Sequence, residues 1–315
     1  MLSQRNICSD IVAGMQKYEY SERSVYQNIL PLYHAFGLVC DLLAPVYSGG
    51  TICFSRDSSA FLPDMARFRP TCINAPPIVA ESILTLSGKL SMDIITGGRL
   101  RKILCGGAQV NGSTADSLER EGIFISGCYG MSECSPCISV NRDRYYKHGS
   151  AGVLLNCNKI RFEDDQILIK GSNVMLGYYG LPDDAQPIRD GWLCTGDLGY
   201  SDSDGFLYLT GRISNMMVFS DGTKCIPEEI ERRLNSLRGV KESLVYYDPD
   251  EAEKWGVRVV TDKESSGSLP DASLIREFIR SIDDIDTSHF SQKASVSDKP
   301  LERNSNGKVR RMFNG

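Results

Sequence analysis

No stretch of this sequence stays apolar for long. The most apolar run, Gly37 to Val46, is broken by Asp41 and Pro45. It falls far short of the ~20 apolar residues that cross a bilayer, so no membrane span is expected. The first residues, Met1-Leu2-Ser3-Gln4-Arg5-Asn6, are polar and lack the apolar core of a signal peptide. Positive charge is not in excess: 35 Lys and Arg face 40 Asp and Glu, a net charge of −5. That excludes a basic nucleic-acid binder. There is no internal repeat and no long low-complexity tract. With 41 % hydrophobic and 24 % charged residues, the 315-residue chain has a globular rather than a disordered or collagen-like composition. At about 150 residues per domain, two domains are expected and a third is possible.

A disulfide framework is missing too. Eleven cysteines, an odd number, are scattered from Cys8 to Cys225. They read as reduced thiols in a cytoplasmic protein. The one CxxC, Cys134-Ser135-Pro136-Cys137, has no second ligand pair at zinc-site spacing and is expected to be free thiols in a loop. No Walker-type phosphate loop is present, since Gly307-Lys308 is followed by Val309 and lacks the upstream glycine.

What is present alternates between short apolar runs and helical patterns. Ser3 can cap a helix through Val12, and Pro76-Pro77 precedes a helix over Ile78–Leu86. Leu100–Cys105 meets Gly106-Gly107-Ala108, and Ile123–Ser126 meets Gly127-Cys128-Tyr129-Gly130. Both read as strands ending in glycine loops, where backbone amides can approach a ligand in an open α/β sheet. From Val153 to Arg212 the pattern is β-rich, with a hairpin of Lys159–Phe162 and Gln166–Lys170; a small barrel or distorted sheet is expected. Beyond Arg212, a helix over Glu228–Arg238, strands Ser243–Tyr247 and Gly256–Thr261, and a helix over Leu274–Ile282 form a small α+β unit. Lys263–Ser268 and Ile282–Ser297 are polar and read as surface loops.

Five fragments in order then point to a family. They are Pro31-Leu32-Tyr33-His34-Ala35-Phe36-Gly37; Tyr129-Gly130-Met131-Ser132-Glu133; Asp190-Gly191-Trp192-Leu193-Cys194-Thr195-Gly196-Asp197-Leu198-Gly199 with Gly211-Arg212; Gly222 with Ile226-Pro227-Glu228-Glu229-Ile230-Glu231; and Asn306-Gly307-Lys308-Val309-Arg310. In this order and spacing they resemble the adenylate-forming ligases, nearest the bacterial long-chain acyl-CoA synthetases. The resemblance runs from Met1 to Arg310. It implies an α/β fold with an α+β C-terminal domain. Residues 1–211 would be the C-terminal portion of the large AMP-binding domain (α/β to about 150, β-rich over 151–211), and 212–315 a small mobile domain.

The implied chemistry has two steps. A carboxylic acid, which the resemblance implies is a fatty acid, and ATP give an acyl-adenylate and pyrophosphate. The acyl group then passes to a thiol, that of CoA or of a carrier protein's phosphopantetheine. By resemblance, Glu133 is the Mg²⁺ ligand, Ser132 donates to a phosphate, and Lys308 is the mobile catalytic cation. Gly106, Gly107, Ala108, Cys128, Tyr129, Gly130 and Met131 line the nucleotide. Asp197 accepts the ribose hydroxyls and Arg212 lies near ribose and phosphate. Tyr33, His34 and Gly37 belong to the acyl pocket or its gate. Ile213, Ser214 and Asn215 form the hinge about which Lys308 would swing. Amino-acid-activating relatives usually carry Asp after the Phe of the first fragment; here Phe36 precedes Gly37, which favours an acid without an α-amino group.

The pattern also breaks. The Ser/Thr/Gly-rich loop ending in Pro-Lys-Gly that cradles the β- and γ-phosphates is absent, and Met1–Asn6 resembles the residues that follow it. The chain is therefore expected to be a truncated member with low or no activity alone. Two alternatives stay open: a non-catalytic acyl- or nucleotide-binding relative, and an acyl-carrier-protein ligase.

Overall fold

The structure is a computed structural model that describes residues 1–18, 20–57, 59–107, 110–142, 145–261, 269–283, 285–303, 309 and 311. The chain divides into two compact units, one of Met1–Thr195 with Gly199–Leu209, the other of Gly196–Leu198 with Thr210–Gly315.

The first unit opens with helix α1 (Gln4–Tyr18). Ser3 caps it as the sequence suggests: its Oγ accepts from the Asn6 amide at 3.2 Å while Asn6 Oδ1 accepts from the Ser3 amide at 2.8 Å. The helix runs past Val12 because Ile7, Ile11 and Met15 continue one apolar face that packs on Val39, Cys40 and Ala44. Strand β1 (Val25–Asn28) follows, then a π-helix (Gly37–Leu43) running into α2 (Ala44–Ser48), and β2 (Thr51–Phe54). Next come α3 (Phe61–Phe68), β3 (Cys72–Ala75), α4 (Pro77–Ser87), α5 (Met92–Thr96), β4 (Lys102–Cys105), α6 (Gly112–Arg120), β5 (Phe124–Gly130), β6 (Cys137–Val140) and β7 (Val153–Leu154). The sheet order is β2-β1-β3-β4-β5-β6-β7. The strands from β2 to β5 pair in parallel and β6 and β7 add antiparallel. The helical crossovers supply the core: Met65, Ile83, Ile95 and Leu118 pack on Ile73, Ile103 and Ile125.

The β-rich stretch forms a second sheet. Strands β8 (Asn158–Glu163) and β9 (Gln166–Gly171) make the expected hairpin, turned by Asp164 and Asp165, both at positive φ. Then β10 (Ile188–Arg189), β11 (Trp192–Ser201) and β12 (Leu207–Arg212) complete the order β10-β11-β9-β8, with β12 on β11. It is an open sheet.

In the second unit a short ribbon, β13 (Met217–Val218) with β14 (Lys224–Cys225), precedes α7 (Pro227–Leu234), β15 (Val240–Tyr247), β16 (Trp255–Thr261), α8 (Ala272–Arg280) and β17 (Phe290–Ser297). Strand β16 is central, antiparallel to β15 and parallel to β17. Helix α7 stops at Leu234, four residues short of the sequence expectation, because Leu237 and Ser236 already bond in turns. Ile230 and Leu234 of α7, with Ile275 and Ile279 of α8, cover Trp255, Val257 and Val259.

Two expectations are corrected. The end of Ile282–Ser297 is a strand, not a loop. Phe290, Ala294 and Val296 alternate among polar residues and turn one face to the core. Gly127–Gly130 is likewise strand rather than glycine loop: β5 continues through Tyr129 because β6 gives its backbone an antiparallel partner, Cys128 facing Val140 and Tyr129 facing Ser139. The Lys263–Ser268 loop expectation lies outside the described residues.

Candidate functional site

In the first unit the residues expected to line the nucleotide lie just after β4 and from the last part of β5 onward, at the carboxyl ends of these strands. Gly106 is buried and Gly107, at φ +84°, is exposed; Ala108 lies outside the described residues. Cys128 packs near Leu104, Val140 and Leu155. Tyr129 is only 5 % exposed, among Ile138, Ile167 and Leu193, so little of its ring is left to meet a base. Gly130 is glycine for a local reason. A Cβ there would sit 2.0 Å from the Pro136 carbonyl oxygen, where the register slips between Tyr129 and Gly130. Met131 donates its amide to that same oxygen at 2.8 Å.

That tight return aims the next residues outward. Ser132, Glu133 and Cys134 form a single 3₁₀ turn, with Ser132 exposed and Glu133 half-buried. The turn is braced from behind. Asp10 of α1 accepts from the Cys137 amide at 3.2 Å and from Asn173 Nδ2 at 3.0 Å. Asn173 Nδ2 also reaches the Cys137 carbonyl at 2.8 Å, and Ser135 Oγ donates to the Asn173 carbonyl at 2.8 Å. Burial pushes the Asp10 carboxyl well above the carboxylate range, against those two hydrogen bonds. The Glu133 carbonyl accepts from the Met175 amide at 2.7 Å, and its Oε1 accepts from Tyr178 Oη at 2.5 Å. That bond, with partial desolvation, pushes the Tyr178 phenol up to about 12. Among the described residues Glu133 Oε2 takes no hydrogen bond.

The acyl-gate candidates sit apart in sequence, around the π-helix. Gly37 opens it, and a Cβ there would meet the Pro31 carbonyl oxygen at 2.4 Å. Tyr33 is 85 % exposed and its ring lies 4.6 Å from that of His34, which is exposed as well. Behind them Asp41, 1 % exposed, accepts from Asn28 Nδ2 at 2.8 Å, Asn74 Nδ2 at 2.7 Å and the Leu30 amide at 3.2 Å. Burial raises its carboxyl to about 7 in spite of these donors.

In the second unit Asp197, on β11, accepts at Oδ1 from Nε of Arg212, at the end of β12. The Asp197 side chain is 7 % exposed and that of Arg212 48 %. Ile213, Ser214 and Asn215 then form a 3₁₀ turn, and Asn215 Nδ2 donates to Glu228 Oε1 at 2.5 Å. Arg311 grips Glu231 through Nη1–Oε1 at 2.8 Å and Nη2–Oε2 at 2.5 Å, and its Nη2 lies 3.5 Å from Glu228 Oε1. Lys308 lies outside the described residues.

Residues 1–179 match the family described as AMP-binding enzyme, more than half of the sequence. The chain belongs to that family. Among curated relatives, a long-chain-fatty-acid–CoA ligase of Yersinia pestis is 29 % identical over 294 residues, 87 % of this chain and 52 % of its own length. A feruloyl-CoA synthase of an Amycolatopsis species is 34 % identical over 246 residues, 72 % of this chain and 48 % of that protein. The o-succinylbenzoate coenzyme A synthetase of Bacillus subtilis, solved in complex with ATP and magnesium ion, superposes with a TM-score of 0.77 at 27 % identity, over 98 % of this chain and 65 % of its own. The fold is thus that of the adenylate-forming acyl-CoA synthetases. The chain spans about half the length of these curated relatives. Among its described residues no helix is long and apolar enough to cross a membrane.

Asp10, Asn173 and Tyr178 were not singled out from the sequence. A carboxylate on the apolar face of α1 was the available signal for Asp10; Tyr178 gave none, since it meets Glu133 across 45 residues.

Proposed function

We propose that this AMP-binding family chain serves acyl-adenylate formation and thioester synthesis, with a fatty acid as the acid substrate. The observation that carries this reading is the Ser132–Glu133 turn: a braced backbone presents one carboxylate whose Oε2 is open among the described residues. Those residues contain no cluster of three or more His, Cys, Asp or Glu able to cage a metal. A single carboxylate suits Mg²⁺, which keeps waters and binds phosphate oxygens for the rest of its shell. When bound there, the ion would offset the charge of the ATP phosphates.

The chain's own residues do the remaining work. Asp197, oriented by Arg212, accepts hydrogen bonds from the ribose diol. Ser132 donates to a phosphate oxygen. Lys308 brings a cation to the reacting carboxylate. An acid oxygen bonds to the α-phosphorus, the bond to the bridging oxygen breaks, and pyrophosphate leaves. The thiol sulfur of CoA then attacks the acyl carbon, AMP departs, and the thiol proton passes to solvent. A carrier-protein phosphopantetheine would serve the same second step. Gly37 in place of an amine-binding Asp supports an acid without an α-amino group.

The test is binding and turnover with matched ligands. AMP and a non-hydrolysable fatty-acyl sulfamoyl adenosine should raise the melting temperature, the latter more than an aminoacyl analogue. ATP, Mg²⁺, CoA and fatty acids of graded length should give acid-dependent pyrophosphate release in a protein that carries this chain together with a Ser/Thr/Gly-rich loop ending in Pro-Lys-Gly. Failure to bind any of these nucleotides contradicts the reading. Binding without release favours the second reading, a non-catalytic acyl- or nucleotide-binding relative.

A further inference from the structure

Glu133 is held twice by one short segment, through its carbonyl by the Met175 amide at 2.7 Å and through Oε1 by the Tyr178 hydroxyl at 2.5 Å. Tyr178 is itself fixed. Gln186 Oε1 accepts from the Tyr178 amide at 2.7 Å, while its Nε2 donates to the carbonyls of Tyr178 at 3.0 Å and Leu181 at 2.7 Å. One side-chain amide thus straps both backbone groups of the residue whose phenol reaches the carboxylate. The strap lies at a 43 %-exposed tyrosine, where burial offers little reason for such order.

We propose that Tyr178 is a positioning residue for the cation-binding carboxylate. Its hydroxyl occupies Oε1 and so presents Oε2 of Glu133 as a single, fixed oxygen ligand to a divalent cation carried by a nucleoside triphosphate. The inference rests on the assignment of Glu133 under the proposed function. The physical reason is geometric. Mg²⁺ requires near-octahedral ligands at short distance and tolerates a carboxylate best through one oxygen, leaving room for phosphate and water. A free carboxylate rotates and can chelate with both oxygens; a donor on one of them removes both options. Partners of this kind typically contribute 10–100-fold to metal affinity.

The experiment measures Mn²⁺, a paramagnetic substitute, by electron paramagnetic resonance on the full chain with ATP, and AMP without metal by calorimetry. Wild type, Tyr178→Phe and Glu133→Gln are compared, with thermal melts on each. Expected are Mn²⁺–ATP binding by wild type, its loss in Glu133→Gln, and an affinity lowered roughly 10–100-fold in Tyr178→Phe, with AMP affinity unchanged. Equal Mn²⁺ affinity in Tyr178→Phe and wild type overturns the proposal while leaving Glu133 as the ligand. An equal fall in AMP and Mn²⁺ affinity overturns it too, since it marks a general loosening. No Mn²⁺–ATP binding by wild type, or undiminished binding by Glu133→Gln, overturns the assignment of Glu133 and the proposal with it.

Discussion

Arg212 donates its Nε–H to Oδ1 of Asp197, joining the two residues that the family resemblance implies for the sugar end of a nucleotide. The carboxylate is nearly buried and the guanidinium half-exposed, so the pair has a fixed inner partner and a reachable outer one. Hydrogen bonds to charged groups are worth about 1.5–3 kcal/mol. Arg212→Gln should therefore weaken AMP binding about 10- to 100-fold by calorimetry. Unchanged affinity would separate the pair from nucleotide binding.

Asp41 gives the first unit a pH signature. Its folded carboxyl is raised to about 7 by burial, whereas an unfolded aspartate titrates near 3.9. Between those values the folded chain holds a proton that the unfolded chain has lost. Stability therefore falls as pH rises across that window, by about 1.4 kcal/mol per pH unit, and levels off above it. Asp41→Asn should flatten that fall in urea titrations between pH 4 and pH 7. An unaltered slope would assign the pH dependence to other groups.

Arg311 and Glu231 fasten the chain's end to α7 in the second unit. Glu231 also accepts from the Val245 amide at 2.8 Å, so Glu231→Ala strips a half-buried cation and a strand amide together. Breaking such a pair from one side costs about 3 kcal/mol or more. The expected result is a lower urea midpoint for the second unit and faster proteolysis near residue 311. A midpoint equal to wild type would mean that the clamp adds nothing.

Thiol reactivity should follow burial. Cys8 is exposed, while Cys72 and Cys105 are buried, their thiols pushed up to about 11 and about 12. Iodoacetamide at neutral pH should label Cys8 first by mass spectrometry, with Cys72 and Cys105 reacting only in urea. Early labelling of Cys105 would indicate that the β4 edge opens.

The helices and strands whose period was unbroken were legible in the sequence. α4 follows Pro76-Pro77 as read, and β8–β9 turns at Asp164 and Asp165 as read. Strand β17 was not, because three of its residues carry the period among serines and lysine, and only the parallel partner β16 reveals them as one face. The extension of β5 was hidden for the opposite reason: Gly127 and Gly130 look like a loop until β6 pairs with them. Motif order named Glu133, Asp197 and Arg212. It was silent on Asp10, Asn173 and Tyr178, whose roles arise from contacts across 45 to 163 positions.

Calorimetric titration of the chain with a fatty-acyl sulfamoyl adenosine, alongside Asp197→Asn, tests nucleotide recognition most directly. Saturable binding at one site, lost or weakened at least tenfold in Asp197→Asn, is the expected result. No saturable binding, or equal affinity in both proteins, would contradict it.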